Sequence, residues 1–161
     1  MKLTIERIIV LMHEYQKRYN ITRSCMTNTQ ILYDLIKANI STSKAKATAV
    51  VSYHIDEEKD AHHFTTHLVI TENEHVYDAS YEVSNKPNVL YFGTLKELFG
   101  KFGKTMDSTM KQKLIQEFII MVNAAERINN GTFSIHDGDV YNNQLDFIEE
   151  NLHLLGFVRI C

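Results

Sequence analysis

The feature that most constrains this chain is a switch in hydrophobic periodicity, helical at both ends and alternating in the middle. Apolar residues at Ile5, Ile8, Ile9, Met12, Tyr15 and Tyr19 follow the spacing of an amphipathic helix over residues 3–19. Ile31, Leu32, Leu35 and Ile36 do the same over Thr27–Asn39. From Lys46 to Tyr81 the pattern turns β-rich, as ATAVVSYHI, HFTTHLVIT and EHVYDASYEV, with the polar runs DEEKDA and TENE between them. Three such segments joined by short polar runs predict an antiparallel meander. After Pro87 helical spacing returns, with a short helix over Thr94–Phe99 and a long one over Ser108–Asn129. A further helix over residues 140–155 stops at Gly156, and FVRI after it reads as a last short strand. The expectation is an α+β fold. One proline and six glycines in 161 residues leave little room for a flexible linker, so residues 1–161 read as a single domain with one core.

Charge and cysteine content narrow the function classes. Seventeen basic and twenty acidic residues give a net charge of −3, with no run of five like charges. A protein that works by neutralising phosphates carries a basic surplus or stripe, so nucleic acid is not an expected partner. The amino-terminal apolar run, Ile8 to Met12, falls short of the roughly 7–15 residues of a secretory core and the ~20 of a membrane span, so no membrane partner is expected. Two cysteines, Cys25 and Cys161, make no disulfide framework, which points to a reducing compartment such as the cytoplasm.

Cys25 stands out by position. Either Thr27-Asn28-Thr29-Gln30 forms a capping box with Met26 and Ile31 as its hydrophobic staple, or Ser24 is the N-cap and Cys25 the first helical residue. Both put the sulfur near the positive end of a helix, which favours a nucleophilic thiolate. A buried core cysteine is the alternative. His67 and Asp78 give the catalytic alternative weight. With Glu72 and Asn73 as the centre of a tight turn, Ile70 faces His75 and His67 faces Asp78 on one sheet face. A carboxylate there would orient the imidazole and stabilise its charged form.

A helix opening at a cysteine, followed by an antiparallel sheet with His and Asp on neighbouring strands, resembles the papain-like cysteine hydrolase superfamily. In chain order Cys, His, Asp, the string HLVITENEHVYDAS (67–80) is similar to the histidine strand, hairpin and aspartate strand of its transglutaminase-like branch. The resemblance covers residues 20 to 82. It implies Cys25 as nucleophile, His67 as base and Asp78 as orienting acid. The implied activity is that of a thiol hydrolase, peptidase or amidase, or an acyl transferase, acting on a peptide or small amide or ester with no cofactor. The chain departs from the family in having Ser24 and Met26, not an aromatic, beside the cysteine. For the upstream oxyanion-hole amide of the papain branch it offers Gln16 and, better placed, Asn20. The backbone N–H of Cys25 is a second oxyanion donor. A binding module that keeps the fold without using the thiol is the rival from another class, distinguished by a sealed cysteine.

No metal site is expected. His63 and His67, four apart on a strand, lie some 13 Å apart, too far to share one ion with Asp60 and His62. Asp137-Gly138-Asp139 lacks the ligand spacing of a calcium loop and reads as a turn with Asp139 as helix N-cap. His13 reads as a surface residue. Tyr77, Tyr81, Tyr91 and Phe92 read either as a cleft wall or as core.

Overall fold

Short polar side chains decide where the helices start. In the computed structural model, which describes residues 2–157, the order is α1 (Ile5–Arg18), α2 (Cys25–Asn39), β1 (Lys46–Asp56), β2 (Ala61–Glu72), β3 (His75–Tyr77), α3 (Tyr81–Ser84), β4 (Leu90–Phe92), α4 (Leu95–Phe102), α5 (Ser108–Asn130) and α6 (Gly138–Leu154). Thr4, Thr94 and Asp107 each accept a hydrogen bond from a backbone N–H of the first turn of α1, α4 and α5. Asp137, not Asp139, caps α6: its side chain accepts from Val140 N–H at 3.1 Å, while Asp139 lies in the first turn, where its charge meets the helix's positive end. α2 opens with Ser24 as N-cap and Cys25 as first helical residue, so Thr27–Gln30 are buried inside the helix and form no capping box. The helix starts early because Arg23, at φ 53°, turns the chain sharply just before it.

The fold is α+β, with a curled four-stranded antiparallel sheet of order β3-β2-β1-β4. The long β1–β2 hairpin runs from the Lys46↔Thr71 pair to Asp56↔Ala61. β4, which the sequence pattern did not reveal, pairs with β1 at Val51↔Phe92, Ser52↔Tyr91 and Tyr53↔Leu90. Ala47, Ala49, Leu68 and Ile70 from the sheet meet Ile8 and Met12 of α1, Ile31 and Leu35 of α2, Ile128 of α5, and Ile148 and Leu152 of α6 in the main core. A second cluster gathers Val51, Leu98, Met106 and Leu114 against Phe92 and Phe102. Each fully buried Leu or Ile contributes about 1.5–3 kcal/mol, which holds the helices on the sheet. Among the described residues no helix is long and apolar enough to cross a membrane.

Two expectations fail in the third strand segment. The turn between β2 and β3 is centred on Asn73-Glu74, both at positive φ (50° and 68°), so Ile70 pairs with Tyr77 and not with His75. Asparagine tolerates the left-handed region that the first central position of a type I′ turn demands, which moves the turn one residue along. The strand also ends at Tyr77: Asp78 accepts from Ser80 N–H two residues on, and Ser80 carbonyl then takes the N–H of Ser84, so Tyr81–Ser84 is helical. Of the expected strand FVRI, Phe157 instead donates to Leu152 carbonyl in the terminal turn of α6, and residues 158–160 lie outside the described residues, as does Cys161.

Glu74 holds a left-handed conformation that glycine adopts without strain. Glu74→Gly, which creates an Asn-Gly turn, should stabilise the protein by about 1 kcal/mol, read as a higher urea midpoint at unchanged slope. An unchanged or lower midpoint would contradict the turn assignment.

Candidate active site

Cys25 sits where α2 has spare hydrogen-bond donors. The first α2 amide bonded within the helix is that of Asn28, to Ser24 carbonyl at 2.8 Å, so the amides of Cys25, Met26 and Thr27 lie outside the ladder at the positive end. Cys25 is half-buried and forms no disulfide. It opens on a cleft of about 420 Å³ whose walls include Arg23, Ser52, Thr65, His67, Glu82 and Lys86. Glu82 Oε1 accepts the backbone N–H of Arg23 at 2.5 Å, which pins the turn in front of the cysteine to α3.

His67 is buried, at 1% exposure, and its Nε2 lies 2.9 Å from Oδ1 of the buried Asp78. The expected direct opposition of the two residues is not what joins them. Moving the turn by one residue moves every partner by two, which keeps Asp78 on the face of His67 but places it diagonally. Departure of the chain after Tyr77 brings the carboxylate to the ring. With Nε2 held by Asp78, the ring lines the same cleft as Cys25. Burial alone would depress the imidazole's proton affinity; its interactions with the accepting Asp78 carboxylate and then with Cys25 outweigh it and push the pKa up to about 9. The ring therefore carries its proton through neutral pH.

The carboxylate is fully engaged. Its Oδ1 also accepts from Ser80 N–H at 2.9 Å, and its Oδ2 accepts from the Tyr91 hydroxyl at 2.7 Å. Behind it runs a chain of buried amides. Gln16 Nε2 donates to Ala79 carbonyl (2.7 Å) and to Gln144 Oε1 (2.8 Å), while Gln16 Oε1 takes the N–H of Tyr81 (2.8 Å). Gln144 Nε2 donates to Asn28 Oδ1, and Asn28 Nδ2 to Ser80 Oγ, each at 3.1 Å. Three helices thus grip residues 79–81. His13 joins them. Expected at the surface, it is half-buried, and with burial lowering its pKa its neutral ring donates from Nε2 to Asp78 carbonyl at 2.9 Å.

Cys25, His67 and Asp78 are brought together; Asn20 is not. Asn20 is exposed, at φ 51°, and Ile21 N–H reaches back to Gln16 carbonyl, so Asn20 is the left-handed residue that ends α1 and does not line the cleft. The other upstream amide, Gln16, is occupied in the buried chain. The amides of Cys25, Met26 and Thr27 stay outside the helix ladder. Of the clustered histidines, His62 Nδ1 meets the Tyr53 hydroxyl at 2.6 Å and His63 stacks on His54, with ring centroids 4.8 Å apart. Among the described residues, no three His, Cys, Asp or Glu side chains converge as a metal site would require. Tyr77 and Phe92 pack in the two cores, whereas Tyr91 belongs to the site. The sequence reading gave Gln144 no role, took Asn28 for part of a capping box and His13 for a surface residue, though Asn28 and Gln144 each interrupt the apolar stripe of their helix.

No family model matches the chain, and neither a curated protein nor a solved structure does so. What the site can do follows from its own groups. A half-buried cysteine and a protonated imidazole that share a cleft, with a buried carboxylate on the imidazole, can supply a nucleophile and pass a proton to whatever the nucleophile displaces.

The raised pKa of His67 has a consequence for stability. A folded-state value of about 9 against 6.5 unfolded contributes about 3 kcal/mol, present in full below pH 6.5 and lost as the pH rises through 9. Urea titrations at stepped pH should show wild-type stability falling over that window relative to His67→Ala. Parallel pH profiles for the two proteins would contradict the assignment.

Proposed function

We propose that this protein is a cysteine-dependent hydrolase or acyl transferase, with Cys25 as nucleophile, His67 as proton carrier and Asp78 as the group that orients it. The observation that carries this reading is the imidazole of His67, held at Nε2 by a buried carboxylate and sharing a cleft with a free, half-buried cysteine. A structural cysteine needs none of these three conditions.

In the mechanism Cys25 passes its proton to His67, whose raised pKa of about 9 makes the imidazole a strong proton acceptor. The sulfur attacks the carbonyl carbon of an amide or ester, and the oxyanion meets the free amides at the start of α2. Collapse breaks the bond to the leaving group, which takes the proton from His67, and a thioester remains on Cys25. His67 then draws a proton from water, or from an acceptor amine, as that nucleophile attacks the thioester. The acyl group departs and the proton returns to the thiolate–imidazole pair. Asp78 holds the ring in the required tautomer throughout.

The papain-like reading, in its transglutaminase-like form, is supported by the chain order Cys, His, Asp, a nucleophile on the first residue of a helix, and an antiparallel sheet carrying the histidine. The substrate this implies is a peptide or a small amide or ester.

In a Cys161→Ser background, iodoacetamide should alkylate Cys25 rapidly at pH 6, where an ordinary thiol with a pKa of about 8.5 reacts slowly. His67→Ala should slow this by roughly a hundredfold and Asp78→Asn by roughly tenfold. A rate that tracks a free thiol and ignores both substitutions would leave a binding module with an idle cysteine.

A further inference from the structure

Asp78 is held from two sides that differ in kind. Ser80 N–H, bonded to Oδ1 at 2.9 Å, lies two residues along the same chain and moves with it. It shapes the local turn but does not fix the carboxylate relative to the sheet that carries His67. The Tyr91 hydroxyl, bonded to Oδ2 at 2.7 Å, comes from the opposite edge of the sheet. Tyr91 on β4 pairs with Ser52 on β1, and Ser52 pairs with Thr65 on β2, two residues from His67 on the same face. The donor to Oδ2 and the partner of Oδ1 are therefore mounted on one ladder.

We propose that Tyr91 is the positioning residue of the site, its hydroxyl fixing the rotation of the Asp78 carboxylate so that Oδ1 is presented to His67 and the ring is aligned on Cys25. This rests on the Cys25–His67–Asp78 reading above and adds a fourth group to it. The torsion between Cβ and the carboxyl carbon of an aspartate is broad and soft, so a single anchored oxygen leaves the other free to swing. Oδ2 is buried with its residue, which stands at 7% exposure, and Tyr91 provides the hydrogen bond that a buried carboxylate oxygen needs.

Tyr91 is suited to the role. Burial, then the nearby Asp78 charge and the hydrogen bond itself, push its pKa well above the usual phenol range, so it keeps the proton it donates at any working pH. Its backbone is anchored by its neighbour Phe92, which packs with Val51, Leu98 and Phe102 in the second cluster. That cluster, built largely by the chain after residue 94, gains a function in this arrangement: it seats the strand that carries the positioning hydroxyl.

Tyr91→Phe removes the hydroxyl and keeps the ring. In full-length protein carrying Cys161→Ser, the His67 ring followed by NMR should titrate at least one pH unit below wild type, because its largest raising interaction loses alignment. Alkylation of Cys25 by iodoacetamide at pH 6 should slow by roughly ten- to hundredfold, the effect of losing one hydrogen bond to a charged group. A purely structural role would lower thermal stability and leave the titration of His67 in place. If wild-type Cys25 is activated while Tyr91→Phe keeps the titration and a rate within about twofold, the positioning role is overturned and the catalytic reading stands. If wild-type Cys25 reacts as a free thiol, the catalytic reading falls whatever Tyr91 does. Should Tyr91→Phe not fold, the wild-type protein decides: a Tyr91 hydroxyl proton protected from exchange is expected, and one exchanging freely with water overturns the proposal.

Discussion

The chain of buried amides Gln16–Gln144–Asn28 is the constraint on which the rest of the structure depends. Each of these side chains is at most 2% exposed, and each comes from a different helix. In a dry interior a partly satisfied network costs more than an apolar one, because an unpaired buried polar group loses its water without compensation. α1, α2 and α6 must therefore dock in the one relative placement that satisfies all three amides together with residues 79–81. Apolar packing of Ile8, Ile31 and Ile148 supplies the attraction but tolerates small slides; the hydrogen bonds do not. The result is that α2, which carries Cys25, and the segment that carries Asp78 are positioned by the same interaction.

The sheet supplies the second half of the frame. His67 stands on the long β2 strand, paired along its length with β1, opposite Val50. Asp78 follows directly after β3 and escapes strand geometry, which lets its carboxylate reach a ring that is not directly opposite. His13 and Gln16 of α1 secure the main-chain carbonyls of Asp78 and Ala79, while Tyr91 secures the side chain. The helices after residue 94, without chemistry of their own, contribute through Gln144 to one side of this frame and through the second core cluster to the other.

What was legible in the sequence follows from range. Helix spacing and the β1–β2 hairpin depend on neighbours within a few positions and could be read from them, whereas the start of α2 was open between Ser24 and a capping box at Thr27, of which the structure shows the first. The joining of His67 and Asp78 was foreseen by a register that the structure corrects: the shifted turn removes the direct opposition, and the departure of the chain after Tyr77 brings the carboxylate to the ring. The turn was misplaced because the chain offers no glycine to mark its centre, only Asn73 followed by Glu74. β4 is three residues long, too short to show alternation, and with it went the role of Tyr91. Asn20 drew attention as an amide upstream of the cysteine, although an asparagine after a helix is also a common left-handed terminator. The buried amides were visible in one respect: Asn28 lies four before Leu32, and Gln144 lies four before Ile148, so each occupies a core position that its helix would otherwise fill with an apolar residue. That they meet one another, across separations of more than a hundred residues, is information only the folded chain contains.

The central claim is that Cys25, activated by this frame, takes an acyl group from a carbonyl substrate. The most direct measurement is turnover of p-nitrophenyl acetate by the wild-type protein and by Cys25→Ala, with the acid-quenched wild-type protein mapped by mass spectrometry. The account predicts nitrophenol release that disappears in Cys25→Ala and an acetyl group located on Cys25. Equal release by both proteins, with no acetyl group on the thiol, would contradict it.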